Sequence, residues 1–206
     1  MKLAVTRFKT LTMALKELEP FIRNGQHLQT GERFKRFGGL LSRELLVNWL
    51  ICVTANWAYE KPERFNFSSD PNGGDGIIRD SETEATSFME HVMVPKARDG
   101  RKEDLETRVL AAIDQKQKKG GAAYAEGKTL VIFVDAGEGM WTPNRIARRL
   151  PENLHFADVW AAGLIDTAGG EYVYAVTRLD VSQGNAPIWS VRIRKTFDAW
   201  EVEPIQ

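Results

Sequence analysis

The sequence predicts an α+β (α/β) fold, a mixed central β-sheet flanked by helices. Three observations carry this. The first third has helical periodicity. The middle switches to the alternation of strands, interrupted by one amphipathic helix. A continuous apolar run, TLVIFVD, then follows that helix. Such a run suits the middle of a sheet covered on both faces. Helices, then β-β-β-α-β, then a short helix and more strands, is an order that helices layered on a mixed sheet satisfy. At 206 residues one domain is expected, with 1–60 as its helical part and 61–206 as its sheet core.

Each element has a local reason. LTMALKELEPFIRN places Leu11, Leu15, Leu18 and Ile22 at helical spacing, with Pro20 as a kink or an end. QTGERFKRFGG reads as a loop of basic and aromatic character. SRELLVNWLICVTANW is the strongest helix, with Ser42 as its cap and Leu46, Leu50, Val53 and Trp57 along one face. It is apolar on more than one side, so burial is expected. RFNFS alternates as a strand does, DPNGGDG is a turn of residues that tolerate positive φ, GIIRD is a short strand and SETEA a polar turn. TSFMEHVMV is a longer strand. EDLETRVLAAIDQKQKKGG is amphipathic through Leu105, Val109, Ala112 and Ile113, and its closing lysines and glycines mark a helix C-terminus. TPNRIARRL opens a helix with Thr142 as cap and Pro143 at the first position. FADVWAAGLID, YVYAVTRLD and IWSVRIRK read as three further strands.

Composition narrows the function classes. Hydrophobic residues make up 43% and charged residues 27%, the profile of a soluble globular chain able to bury a core. Lys and Arg (28) balance Asp and Glu (28), which argues against a general basic coat for nucleic acid, although a local basic groove is compatible. One cysteine, Cys52, excludes an internal disulfide framework and a Cys-rich zinc site, and a reducing, cytoplasmic setting fits. The apolar run at the N-terminus is too short for a signal peptide, and no window has the apolar length of a membrane span.

One stretch breaks the pattern. In TSFMEHVMV, side chains alternate between faces, so Phe88, Glu90, Val92 and Val94 share one and Met89, His91 and Met93 the other. Both faces are otherwise apolar, so the strand belongs in the interior. A carboxylate there is costly unless it meets a cation, a metal or good donors. Three readings follow. Glu90 is a buried ion pair or a protonated acid with an arginine or histidine opposite, it is wet at a cleft, or it holds a divalent metal with a second acid. Asp75, at the start of the preceding strand, is the partner a hairpin would bring alongside. Asp80, Glu82 and Glu84 read as a solvated rim of the connecting turn. Two hard oxygen donors suit Mg²⁺ or Mn²⁺ rather than zinc, and such an ion can polarise a phosphate oxygen and generate hydroxide.

Helix, three-strand meander, helix and strand, with the acid of GGDGII (Asp75) and the acid of SFMEHVMV (Glu90), resembles the core of the PD-(D/E)xK, or restriction-endonuclease-like, nucleases. The resemblance covers roughly residues 40–165, and topology carries it more than the short motifs do. It implies a restriction-endonuclease-like core, metal-dependent hydrolysis of nucleic-acid phosphodiesters, and Asp75 and Glu90 as ligands of Mg²⁺ or Mn²⁺. Such families often carry a further glutamate on the preceding helix, which matches Glu44; the same residue also reads as a helix-start acid placed for the dipole. Many such nucleases dimerise, so a homodimer is compatible. The chain departs from the pattern at Val92, where the family's lysine stands. Lys96 shares the face, but six residues of strand span about 20 Å. His91 points to the other face unless a bulge intervenes. In related nucleases the lysine can migrate to the following helix, which offers Lys102, Lys116 and Lys118; Lys116 stands as the candidate beside Lys102. Loss of the lysine alternatively implies an inactive domain serving as a binding or interaction module.

The remaining candidates are weaker. His27 and His155 lack ligand-like neighbours. DAGEGMW has neither a Walker nor a dinucleotide spacing and reads as a turn, or as a cleft loop at the carboxyl end of a strand. Three basic clusters, Arg33/Lys35/Arg36, Lys96/Arg98/Arg101/Lys102 and Arg145/Arg148/Arg149, are solvated faces or phosphate contacts.

Overall fold

The computed structural model describes residues 8–97, 104–135 and 139–206. Helix α1 (Leu11–Arg23) starts behind Thr10, whose hydroxyl accepts the Met13 N–H, and it buries the expected stripe Leu11, Leu15, Leu18 and Ile22. Pro20 lies inside the helix and does not end it: the Asn24 N–H still reaches the Pro20 carbonyl at 3.1 Å. The segment read as a loop is ordered as α2 (Gln26–Thr30) and a small hairpin, β1 (Arg33–Phe34) with β2 (Leu40–Leu41) around a 3-10 turn at Lys35–Phe37. Gly31 and Gly38, at φ 71° and 66°, end the two helical turns. Leu28, Phe37 and Leu40 anchor them in the core at spacings that follow no single period, which hid them from pattern reading.

Helix α3 (Ser42–Ala58) is apolar nearly all round, and Leu45, Leu46, Trp49, Leu50 and Cys52 are fully buried. The predicted face is right for Leu46, Leu50 and Val53, but Trp57 is 43% exposed. Trp49 is the buried tryptophan, donating its indole N–H to the Leu11 carbonyl at 2.9 Å. Ser42 is not the cap either. Leu41 holds that position, the Ser42 hydroxyl donates to the His27 carbonyl at 2.9 Å, and the Glu44 carboxylate accepts the Leu41 N–H at 2.8 Å. A helix's first N–H groups need an acceptor, and Glu44 supplies it from the third helical position.

The sheet follows: β3 (Phe65–Ser68), β4 (Ile77–Asp80) and β5 (Thr86–Val94) form an antiparallel meander, and α4 (Leu105–Ala125) leads to β6 (Lys128–Val134), parallel to β5. The short α5 (Pro143–Ala147) precedes β7 (Asp158–Asp166), parallel to β6; β8 (Tyr172–Arg178), β9 (Ile188–Ile193) and β10 (Trp200–Pro204) close the sheet as antiparallel strands. The eight strands lie side by side in chain order from β3 to β10. The α+β class and the mixed sheet flanked by helices are as expected. Strand β10 was not anticipated; it is an edge strand whose Glu201 and Glu203 face water, so half of its pattern is polar.

Two apolar layers cover the sheet. One joins α1 and α3 to Met89, Val131 and Phe133; the other joins α4 and α5 to Leu130, Ile132 and Val134. Alternate residues of β6 thus serve opposite cores, which is why its sequence is apolar without a break. Helix α4 runs past its predicted glycine stop. Gly121, at φ 62° and ψ −162°, breaks the helical path, and the chain makes a further turn to Ala125. Among the described residues, no helix is long and apolar enough to cross a membrane.

Candidate functional site

Adjacent residues of β5 face different layers. Glu90 faces α4 together with Val92 and Val94, while His91 shares the α3 side with Met89 and Met93. Glu90 is only 8% exposed. Lys128 Nζ donates to its Oε1 at 2.8 Å, Lys116 Nζ lies 3.1 Å from Oε2, and the Tyr124 hydroxyl donates to Oε2 in a short hydrogen bond. Burial works to raise this carboxyl, but the hydrogen bonds from Lys128, Tyr124 and Lys116 outweigh it and hold it below the ordinary carboxylate range. The reading of Glu90 as wet at a cleft is therefore excluded. The buried ion pair is real, but its partners are lysines rather than the expected arginine or histidine, because the His91 ring faces the other side of the sheet.

Asp75 lies two residues before the start of β4, and its Oδ2 accepts the His91 N–H at 2.7 Å. The Met89 N–H bonds the neighbouring Gly76 carbonyl at 2.9 Å, so the hairpin brings the two acids alongside as its connectivity implied. Gly76 is needed there. Its φ is +118°, and a Cβ would stand 2.4 Å from the Asn48 amide nitrogen. That same nitrogen donates to the Asp75 carbonyl at 3.1 Å. Asn48 Oδ1 then accepts a hydrogen bond from His91 Nε2–H at 2.9 Å, which leaves His91 Nδ1 a buried acceptor with no hydrogen-bond partner among the described residues. Burial, and then the Lys116 charge, push the His91 pKa down to about 3, so the ring is neutral.

Lys116 ties the two acids together. Its Nζ lies 3.8 Å from Asp75 Oδ2 and 3.1 Å from Glu90 Oε2, which end to end put those oxygens at most about 6.9 Å apart. It also donates to the His91 carbonyl at 2.9 Å. Three hard oxygens thus converge on one cation, a donor chemistry that fits Mg²⁺ or Mn²⁺. Among the described residues no group of three or more His, Cys, Asp or Glu stands together as a metal site; Asp75, Glu90 and the His91 carbonyl are the oxygens that could hold an ion. Glu44, also buried, lies near enough to Asp75 to feel its charge. Burial first, and the Asp75 charge in addition, push its carboxyl up to about 7 against the Leu41 hydrogen bond.

The other candidates separate cleanly. Lys118 is exposed and pairs with Asp114 at 2.7 Å. Lys96 is exposed. Lys102, Arg98, Arg101 and residues 136–138 of DAGEGMW lie outside the described residues. Asp80 is no solvated rim: it is buried, and the Arg64 guanidinium, bonded to both its oxygens, holds its carboxyl well below the usual range. Glu82 and Glu84 are exposed as expected. His27 pairs with Glu32 at 2.6 Å, and His155 is exposed. Arg33 and Arg36 are exposed, and Arg145 and Arg149 reach the buried Glu106 at 3.3 and 3.8 Å.

Sequence reasoning missed Tyr124, Lys128 and Asn48. Period-two reading of KTLVIFV puts Lys128 on the face of Leu130, the residue opposite Glu90 in the register, so that lysine was findable. Tyr124 was not, because it follows the break at Gly121. Helical phase also separates Lys116 from Lys118: Lys116 is four residues after Ala112 and three after Ile113, on the buried stripe. Compared with family models, with curated proteins and with solved structures, the chain finds no match in any of the three.

Proposed function

We propose that this chain is a Mg²⁺- or Mn²⁺-dependent nuclease-like protein that hydrolyses nucleic-acid phosphodiesters in a cytoplasmic setting, in the manner of the PD-(D/E)xK nucleases its sequence resembles. One observation carries the reading: the Lys116 ammonium reaches both Asp75 and Glu90, from the helix that follows the meander. The lysine missing at Val92 thereby has a replacement at the same pair of acids. In this reading Asp75 and Glu90 hold the ion, which supplies Lewis acidity and an activated water when bound. Lys116 stabilises charge that develops on the phosphate. Glu44, with its carboxyl near 7, can exchange a proton at neutral pH. With Mn²⁺ supplied, Asp75→Ala and Glu90→Ala should each abolish cleavage of DNA or RNA. Cleavage that persists in either variant sinks the site.

A second reading has its own observation. Both Glu90 oxygens are already bonded to Lys128, Lys116 and Tyr124, and a carboxylate so compensated needs no metal. The chain would then be an inactive domain acting as a binding module. Calorimetric titration separates the two: absence of Mn²⁺ binding at millimolar concentration selects the module.

A further inference from the structure

The Lys116 ammonium does not stand beside the oxygen cradle; it stands inside it. Its Nζ is 2.9 Å from the His91 carbonyl, 3.1 Å from Glu90 Oε2 and 3.8 Å from Asp75 Oδ2, and its side chain is 12% exposed. Mg²⁺ binds oxygen at about 2.0–2.1 Å, so an ion using these oxygens must enter the volume that the ammonium fills. Two cations packed a few ångströms apart away from bulk water repel strongly.

Resting on the metal reading above, we propose that Lys116 is a tethered counter-cation that keeps the site closed, and that a divalent ion enters only by exchange with it. The remaining contacts permit the exchange. Lys128 bonds Glu90 Oε1, and Tyr124 shares Oε2 with Lys116, so the carboxylate keeps a cation and a hydroxyl donor when the ammonium leaves. The His91 N–H holds Asp75 independently. Lys128 is the internal contrast: it pairs with Glu90 Oε1 without filling the cradle.

The test uses the full chain and MnCl₂. In calorimetry, Lys116→Met should bind Mn²⁺ at least about tenfold more tightly than wild type, and Lys128→Met should gain no more than about threefold. In wild type, acylation of Lys116 by an amine-reactive reagent, read by peptide mass spectrometry, should rise severalfold with Mn²⁺ and stay flat in KCl of equal ionic strength. The labelling arm needs no variant and decides the matter if Lys116→Met does not fold. If wild type binds Mn²⁺ while Lys116→Met binds equally or more weakly and labelling stays flat, the exchange is overturned and the metal site survives. If Mn²⁺ binds neither protein, the exchange and the metal reading fall together.

Discussion

Glu90 and His91 are neighbours on one strand, buried on opposite faces of the same sheet, and they solve the cost of burial in opposite ways. Toward α4, Glu90 keeps its charge by gathering Lys116, Lys128 and the Tyr124 hydroxyl. Toward α3, His91 gives its charge up, bonds the Asn48 side chain and leaves Nδ1 without a partner among the described residues. Two lysines and a hydroxyl pair with the first residue, and apolar side chains with the Asn48 amide pack against the second. The contrast is one of means: on the α4 face the charge is paired, and on the α3 side the Asn48 amide and the His91 N–H bond Asp75.

Removing the charged member should show the largest effect. Glu90→Ala strands Lys116 and Lys128 together and is expected to cost about 3 kcal/mol in denaturant unfolding, the scale for breaking a buried pair from one side. A loss under about 1 kcal/mol, the scale of an exposed pair, would place Glu90 in water and erase the contrast.

Glu44 tests the α3 side. Folding raises its carboxyl from 4.5 to about 7. The folded chain keeps a proton that the unfolded chain releases, so stability falls as pH rises from about 4.5 to about 7. Glu44→Gln should therefore be more stable than wild type at pH 8, by up to about 3 kcal/mol at 1.36 kcal/mol per unit. At pH 4 the two should melt together. Equal melting at both pH values would show that Glu44 is solvated.

His91 has the opposite sign. Its pKa drops from 6.5 to about 3, so below pH 6.5 the unfolded chain binds a proton that the fold refuses. Wild type should lose about 2 kcal/mol between pH 6.5 and pH 5 from this group, and His91→Gln should flatten that part of the melting profile. An unchanged profile means that other groups govern acid lability. The smallest effect is expected for Tyr124→Phe, about 1 kcal/mol for one hydrogen bond to a carboxylate that keeps two lysines, read by thermal unfolding. A cost equal to that of Glu90→Ala would make the hydroxyl, rather than the lysines, the main support of the charge.

Much of this was legible in the chain. The bounds of β5, the glycine turn before β4 and the apolar run of β6 follow from period and turn chemistry, and a hairpin between the two acids follows from their spacing. Pattern reading failed where the signal is not periodic. The small elements between α1 and α3 hold by scattered anchors, Leu28, Phe37 and Leu40. The cap of α3 went to Leu41 and Glu44 rather than Ser42, because Ser42 found a long-range acceptor in the His27 carbonyl. Glycines at the end of α4 read as a stop, yet only Gly121 leaves the helical path and the chain resumes.

The sequence by itself determined that a carboxylate stands in the middle of an interior strand, with a second acid one turn away and no lysine at Val92, since alternation and connectivity are local properties of the chain. Tertiary structure alone decided which cations answer it. Lys116 comes from the phase of a helix packed on the sheet, Lys128 from the parallel register of β5 and β6, and Tyr124 from a turn that exists only because Gly121 can break the helix. Those partners lie 26 to 38 residues from Glu90 along the chain. What brings them to one carboxylate is the burial of apolar layers on both faces of the sheet, which no local pattern encodes.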